Sequence, residues 1–235
     1  MKTRALHQTR NASAPKGGTN GPEGADGTDG TDGTDGANGT AGATADVPGT
    51  RERIVRAASL LMQRQGYDAT PIKQISQKAE ATLGSVYHFF PGGKQELAVA
   101  AVQRGDEEFS EILREIFDGE PDPADAVLAL TRSLADGLRE SDWIDGCPVT
   151  ATALGTAGRL PDIQRAAAEA FARWQSVVFD ELRSAGIPEQ DADDLACTVI
   201  STLEGAELAA QVARDDKPLR LAGTHLARLI ASYQS

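Results

Sequence analysis

Apolar residues recur at three- and four-residue spacing along the chain from Thr50 onward, and the rhythm breaks at short intervals rich in glycine, proline and aspartate. This is the pattern of amphipathic helices joined by short turns, and it predicts an all-α fold. With Thr50 as N-cap, Ile54, Ala57, Ala58, Leu61 and Met62 form one stripe that ends at Gly66. Ile72, Ile75 and Ala79 mark a second, short helix, followed by a break at Glu80-Ala81-Thr82. Thr82 is placed to cap a third helix over residues 83–90, which buries Val86 and either Phe89 or Phe90. After Pro91-Gly92-Gly93 a long helix opens at Lys94 and carries Leu97, Ala101, Phe109, Ile112, Leu113, Ile116 and Phe117 before Gly119-Glu120-Pro121 stops it. Further helices are predicted from Asp122 or Pro123, over 147–157 (broken by Gly155 and Gly158), and from Pro161, Pro188 and Pro218.

The stretch 70–97 holds the chemistry. Two short helices joined by a three- to four-residue turn fit a helix-turn-helix, whose second helix enters the DNA major groove, and equally an ordinary helical hairpin. Two features favour the first. Gly84, Ser85, Tyr87 and His88 are left facing outward on the second helix, small and hydrogen-bonding groups of the kind that meet base edges. Lys94 stands at the start of the next helix, where free backbone N–H groups and a cation together suit a phosphate.

Composition then narrows the class. A net charge of −12 argues against a nucleic-acid partner until it is divided along the chain. Between residues 51 and 104 there are eight cations against four anions, a local charge of +4 that leaves −16 for the remainder. Residues 1–49 carry glycine at every third position from Gly18 to Gly42 with almost no proline, so a flexible acidic tail is expected in place of a collagen helix. No apolar run is long enough to span a membrane, and the first residues do not read as a signal peptide. Cys147 and Cys197 lack CxxC spacing and read as reduced, small, buried side chains of a cytoplasmic protein; neither a metal site nor a cofactor is expected. No Gly-rich phosphate loop, HExxH or GxSxG is present, which argues against an enzyme.

Ala81-Thr82-Leu83-Gly84-Ser85-Val86-Tyr87-His88-Phe89-Phe90 followed by Lys94-Gln95-Glu96-Leu97 resembles the DNA-binding domain of the TetR family of bacterial transcriptional repressors. Pro91-Gly92-Gly93-Lys94 and Gly146-Cys147-Pro148-Val149 resemble its LmrA/YxaF-like subgroup, and Leu83 departs from the lysine that many relatives carry. The resemblance implies a helix-turn-helix domain over 50–97 and a helical ligand-binding and dimerisation domain over 98–235. It implies DNA contact by Arg51, Thr70, Lys73, Thr82, Leu83, Gly84, Ser85, Tyr87, His88 and Lys94, with Arg53 and Arg56 near the phosphates as well. It also implies a pocket lined by Phe109, Leu113, Phe117, Trp143, Cys147, Thr150, Leu154, Phe171, Trp174 and Val178 for a small lipophilic or aromatic inducer. The small residues Gly205, Ala206, Ala209 and Ala210 suit either core packing or a homodimer interface reading a palindrome. The expected partners are double-stranded operator DNA, an inducer and a second copy of the chain. A regulator whose C-terminal domain only dimerises or contacts protein stays open beside this reading.

Overall fold

The computed structural model describes residues 48–234, and the expected tail lies almost wholly outside them. Among the described residues there are nine helices and no strand: α1 (Thr50–Gln65), α2 (Ile72–Lys78), α3 (Leu83–Phe89), α4 (Gly93–Gly119), α5 (Pro123–Glu140), α6 (Pro148–Thr156), α7 (Pro161–Ser184), α8 (Glu189–Ala213) and α9 (Lys217–Ala231). Each predicted helix is present, with ends shifted by a residue or two. Gly49 takes the N-cap of α1 without a side-chain bond, so Thr50 is the first helical residue and not the cap. The α6 helix runs through Gly155 to Thr156, because nothing packs within reach of a Cβ there and its backbone keeps helical geometry.

One apolar core runs from Ile54, Val86 and Phe90 near the N-terminal helices to Val199, Leu203 and Ile230. The boundary expected at residue 97 falls inside α4, which packs on α1 near its start and on α7 along its length. Trp174 of α7 is fully buried; its indole N–H donates to the Asp106 carbonyl at 3.3 Å, and its ring meets Phe109 edge-on at 4.8 Å. A second, smaller cluster joins Ala135 and Leu138 of α5 to Ala210 of α8 and Leu219 of α9, with Trp143 packed against it. Glycine permits two close approaches. A Cβ at Gly105 would lie 2.9 Å from Pro148 Cγ, and one at Gly223 would collide with the Thr131 hydroxyl. These two positions set how near α6 lies to α4 and α9 to α5.

Candidate nucleic-acid interface

The α2–α3 corner is built by its backbone. Glu80 adopts φ +51°, so the Ala81 N–H reaches back to the Ser76 carbonyl at 2.9 Å and the Glu80 N–H to Gln77 at 3.2 Å. This is a Schellman stop, and it usually uses glycine at the left-handed residue. Thr82 then caps α3 as expected, its hydroxyl accepting the Ser85 N–H at 3.0 Å. Arg53 braces the corner from α1: its Nε donates to the Ala79 carbonyl at 3.1 Å and a terminal nitrogen to Pro48 at 3.0 Å. In the free chain its guanidinium is occupied by these bonds and one to the Thr50 hydroxyl. Of the two phenylalanines, Phe90 is the buried one and Phe89 is partly exposed.

With Val86 and Phe90 turned inward, α3 presents Leu83, Gly84, Tyr87 and His88 to solvent, and Tyr87 is 52% exposed. Gly84 sits in ordinary helical geometry, and a Cβ there would meet only Thr82 Oγ1, at 3.6 Å. Nothing within the chain requires a glycine at a helical position where it weakens the helix. Ser85 is half-buried and bonded to the Thr82 hydroxyl at 2.9 Å.

Several cations of the basic segment are spent inside the protein. Arg104 pairs with Glu52 and Glu108, and Arg64 forms a two-pronged ion pair with Asp145 at 2.5 and 2.6 Å. Lys94 is half-buried, with its ammonium 4.3 Å from the centre of the Tyr67 ring and 3.4 Å from the Asp68 carbonyl; burial lowers its pKa. Arg159 bonds Asp68 and holds that carboxyl below the usual range. Lys73 and Lys78 are exposed on α2 without an ion pair among the described residues, and Arg51 is exposed with its guanidinium 5.3 Å from the Phe90 ring. Thr70 needs correction as a contact residue. It is fully buried, donates to the Gly66 carbonyl at 2.7 Å and fixes the turn before α2.

The ten residues expected around an inducer do not line one cavity. Leu113, Trp174 and Val178 are fully buried, Phe117 nearly so, and Phe109 and Phe171 pack on Trp174, all within the main core. Trp143, which follows the end of α5, packs instead on the second cluster with Ala135, Leu138, Ala210 and Leu219. Leu154 is 66% exposed, since α6 turns Val149, Thr152, Ala153 and Thr156 inward instead. Cys147 and Thr150 meet at the head of α6, where the thiol caps the helix by accepting the Thr150 N–H at 3.4 Å. Two clefts on α4 and α7 have volumes near 560 and 500 Å³. Their linings include Glu96, Asp162, Arg165 and Glu169 in one, and Asp106, Glu107, Arg114 and Arg173 in the other, so neither has the expected apolar wall.

Comparison with known proteins decides the family. Residues 54–101 match the bacterial regulatory proteins of the tetR family, and residues 123–225 match the C-terminal domain of LmrA/YxaF-like transcriptional regulators. The chain is 32% identical over 181 residues to the HTH-type regulator YxaF of Bacillus subtilis, covering 77% of this chain and 95% of that one. It belongs to the TetR family of transcriptional regulators. LmrA of the same organism is 33% identical over 170 residues, 72% of this chain and 90% of LmrA. A TetR regulator from Chloroflexus aurantiacus superposes with a TM-score of 0.65 at 28% identity, over 77% of this chain and 94% of that one. A TetR protein from Rhodobacter sphaeroides has a TM-score of 0.68 at 24% identity, over 76% and 97%. TetR-family proteins are DNA-binding regulators that act as dimers, and this chain is a regulator and not an enzyme. Among the described residues no helix is long and apolar enough to cross a membrane.

Some residues that tie this TetR protein together escaped sequence reasoning. The Gln63 amide donates to the Gly146 carbonyl beside the Arg64–Asp145 pair, which clasps α1 to the loop between α5 and α6. From the other side Gln211 of α8 donates to the Ile144 carbonyl at 2.7 Å, and Arg214 to Asp142 at 2.5 Å. Glu204 accepts the Thr150 hydroxyl at 2.6 Å, and Glu207 lies one turn further along α8. Their only sequence signal is polar residues at 204, 207 and 211 within a helix otherwise rich in small and apolar positions.

Proposed function

We propose that the chain is a ligand-responsive transcriptional repressor that binds a palindromic operator as a dimer and is released by a small lipophilic or aromatic inducer. The observation that carries this reading is α3. Its back is locked into the core by Val86, while Leu83, Gly84, Tyr87 and His88 stand free at its front and first turn. A helix held this way offers its N-terminal side chains to a major groove. The missing side chain at Gly84 leaves room for a base edge or the DNA backbone. Ser85 and His88 are assigned to bases. Tyr87, Lys73, Arg51 and Lys94 are assigned to phosphates, for which Lys94 exchanges its contact with Tyr67. On α8 and α9 Leu208, Val212, Leu221 and Leu229 expose apolar surface, which supports pairing of two copies there. Gly205 and Ala209 lie on that exposed face, whereas Ala210 packs inward. The test is gel-shift selection of operator sequences with the full chain, followed by light scattering of the complex. Two chains per palindrome are expected, and a single chain bound tightly to an asymmetric site would refute the reading.

The tight packing of Trp174, Leu113 and Val178 favours a second reading, a regulator that takes no small molecule. Operator binding that no compound relieves would support it.

A further inference from the structure

Glu204, Glu207 and Gln211 share one face of α8, three and four residues apart. The two outer members of this stripe are engaged by the segment that leads from α5 into α6. Gln211 donates to the Ile144 carbonyl, and Glu204 accepts the Thr150 hydroxyl. The middle member is not engaged. Glu207 is 9% exposed, yet its carboxyl makes no hydrogen bond or ion pair among the described residues. No sealed side-chain oxygen there lacks a partner, so the exposure Glu207 retains includes its carboxyl oxygens. They look onto reachable space instead of into packed side chains. Glu204 on the same helix acts on this carboxyl through its charge, and Glu207 in turn raises the pKa of the Cys147 thiol at the head of α6, so the three groups lie near one another. The carboxyl is nine-tenths buried and has no partner among the described residues, so a cation that enters that space would complete it.

We propose that the space bounded by Cys147, Thr150, Glu204 and Glu207 is a ligand site for an organic cation, an ammonium group carried on an apolar body. The inference rests on the ligand-responsive reading above and gives that ligand a charge. Two carboxyls, a thiol and a hydroxyl gather with no lysine or arginine among the groups that shift them, and a positive charge would offset the repulsion that Glu204 exerts on an ionised Glu207. A bare metal ion does not fit. Among the described residues no His, Cys, Asp and Glu groups come together at metal-ligand spacing. Trp143 and Ala206, the residue before Glu207, both pack on the small cluster of Ala135, Leu138, Ala210 and Leu219, which supplies apolar surface beside the site. The site also adjoins the clasp on α1, because Cys147 directly follows Asp145 and Gly146, the partners of Arg64 and Gln63.

Burial first, and Glu204 second, push the Glu207 carboxyl up to about 8. The elements packed on α8 are α5, α7, α9 and, through Thr150, the head of α6, and none adds a charge to that shift. The empty site therefore keeps its proton near neutrality and releases it when a cation enters.

The experiment is calorimetry of the full chain at about pH 7 in phosphate and in Tris, whose ionisation heats differ, so the difference counts protons. The probes are benzyltrimethylammonium, tetraphenylphosphonium, and neopentylbenzene, the uncharged isostere of the first. At least one cation is expected to bind with release of about one proton. Glu207→Gln is expected to abolish that release and weaken binding by about tenfold or more, and Glu204→Gln to weaken it as well. Equal binding of neopentylbenzene, cation binding unaffected by Glu207→Gln, or no binding of either cation would overturn the site. Operator binding is followed in the same samples. Operator release by neopentylbenzene alone would leave the inducer reading standing and remove the cationic site. A bound cation that releases no operator would separate the site from induction and overturn the assignment of this charge to the inducer.

Discussion

Glu80 occupies a left-handed position at φ +51° that a side chain tolerates only at a cost of about 1 kcal/mol. Glu80→Gly is therefore expected to raise unfolding stability by up to about 1 kcal/mol in urea titration. Gly84 presents the opposite case. Gly84→Ala should stabilise the free protein by up to about 1 kcal/mol, since the new methyl meets only Thr82, and should weaken operator binding if α3 approaches DNA as proposed. An alanine variant that binds operator as tightly as the parent would remove Gly84 from the interface. Glu207 gives a pH signature. Its carboxyl has an ordinary value of 4.5 and titrates near 8 in the fold, so the folded state holds the extra proton between those values. Stability from this group is fully present below about 4.5 and is lost as pH rises through about 8. The melting temperature of Glu207→Gln should thus overtake the parent's progressively toward alkaline pH, and parallel curves would contradict the assignment. The Thr82 cap was legible because capping is local in sequence. The burial of Thr70 was not, because its partners in the turn depend on how α1 exits at Gly66.

At the scale of elements, periodicity located every helix because each buries one stripe, and proline and glycine marked the ends. What periodicity does not carry is which stripes meet. Trp143, in the loop after α5, and Trp174, on α7, are expected around one pocket, yet they belong to different clusters. The clasp between Arg64 of α1 and Asp145 of the loop after α5 joins residues 81 apart and leaves no mark on the helical pattern. Both partners keep some solvent contact, so Asp145→Asn is expected to cost less than about 1 kcal/mol of stability. Its larger effect should fall on coupling. With an identified inducer, operator DNA and inducer oppose each other by the same factor, and the variant should shrink that factor in paired titrations. An unchanged factor would assign transmission to α4 alone.

At the scale of the whole molecule, the acidic balance of −12 and the basic segment coexist because cations collect between residues 51 and 104, although Arg53, Arg64 and Arg104 serve the fold. Operator affinity should still fall steeply with salt, and Lys73→Ala should lower the slope of log K against log salt by about one unit without changing base preference. Val212, 79% exposed on α8, gives the test of assembly. Val212→Asp should leave the helical circular dichroism intact, shift light scattering from two chains to one and cost most of the operator affinity. A dimer that survives the charge would place the interface elsewhere. The unbroken run of α4 sets the gearing of such a dimer. Its 27 residues make a rod about 40 Å long, with the core of α7 along its shaft and α3 beside its tip. Tilting that rod by about 5° about its far end sweeps the tip through about 3.5 Å. That is close to the rise of one base pair, about 3.4 Å, so a tilt this slight in each subunit is enough to put two reading heads out of step with the groove.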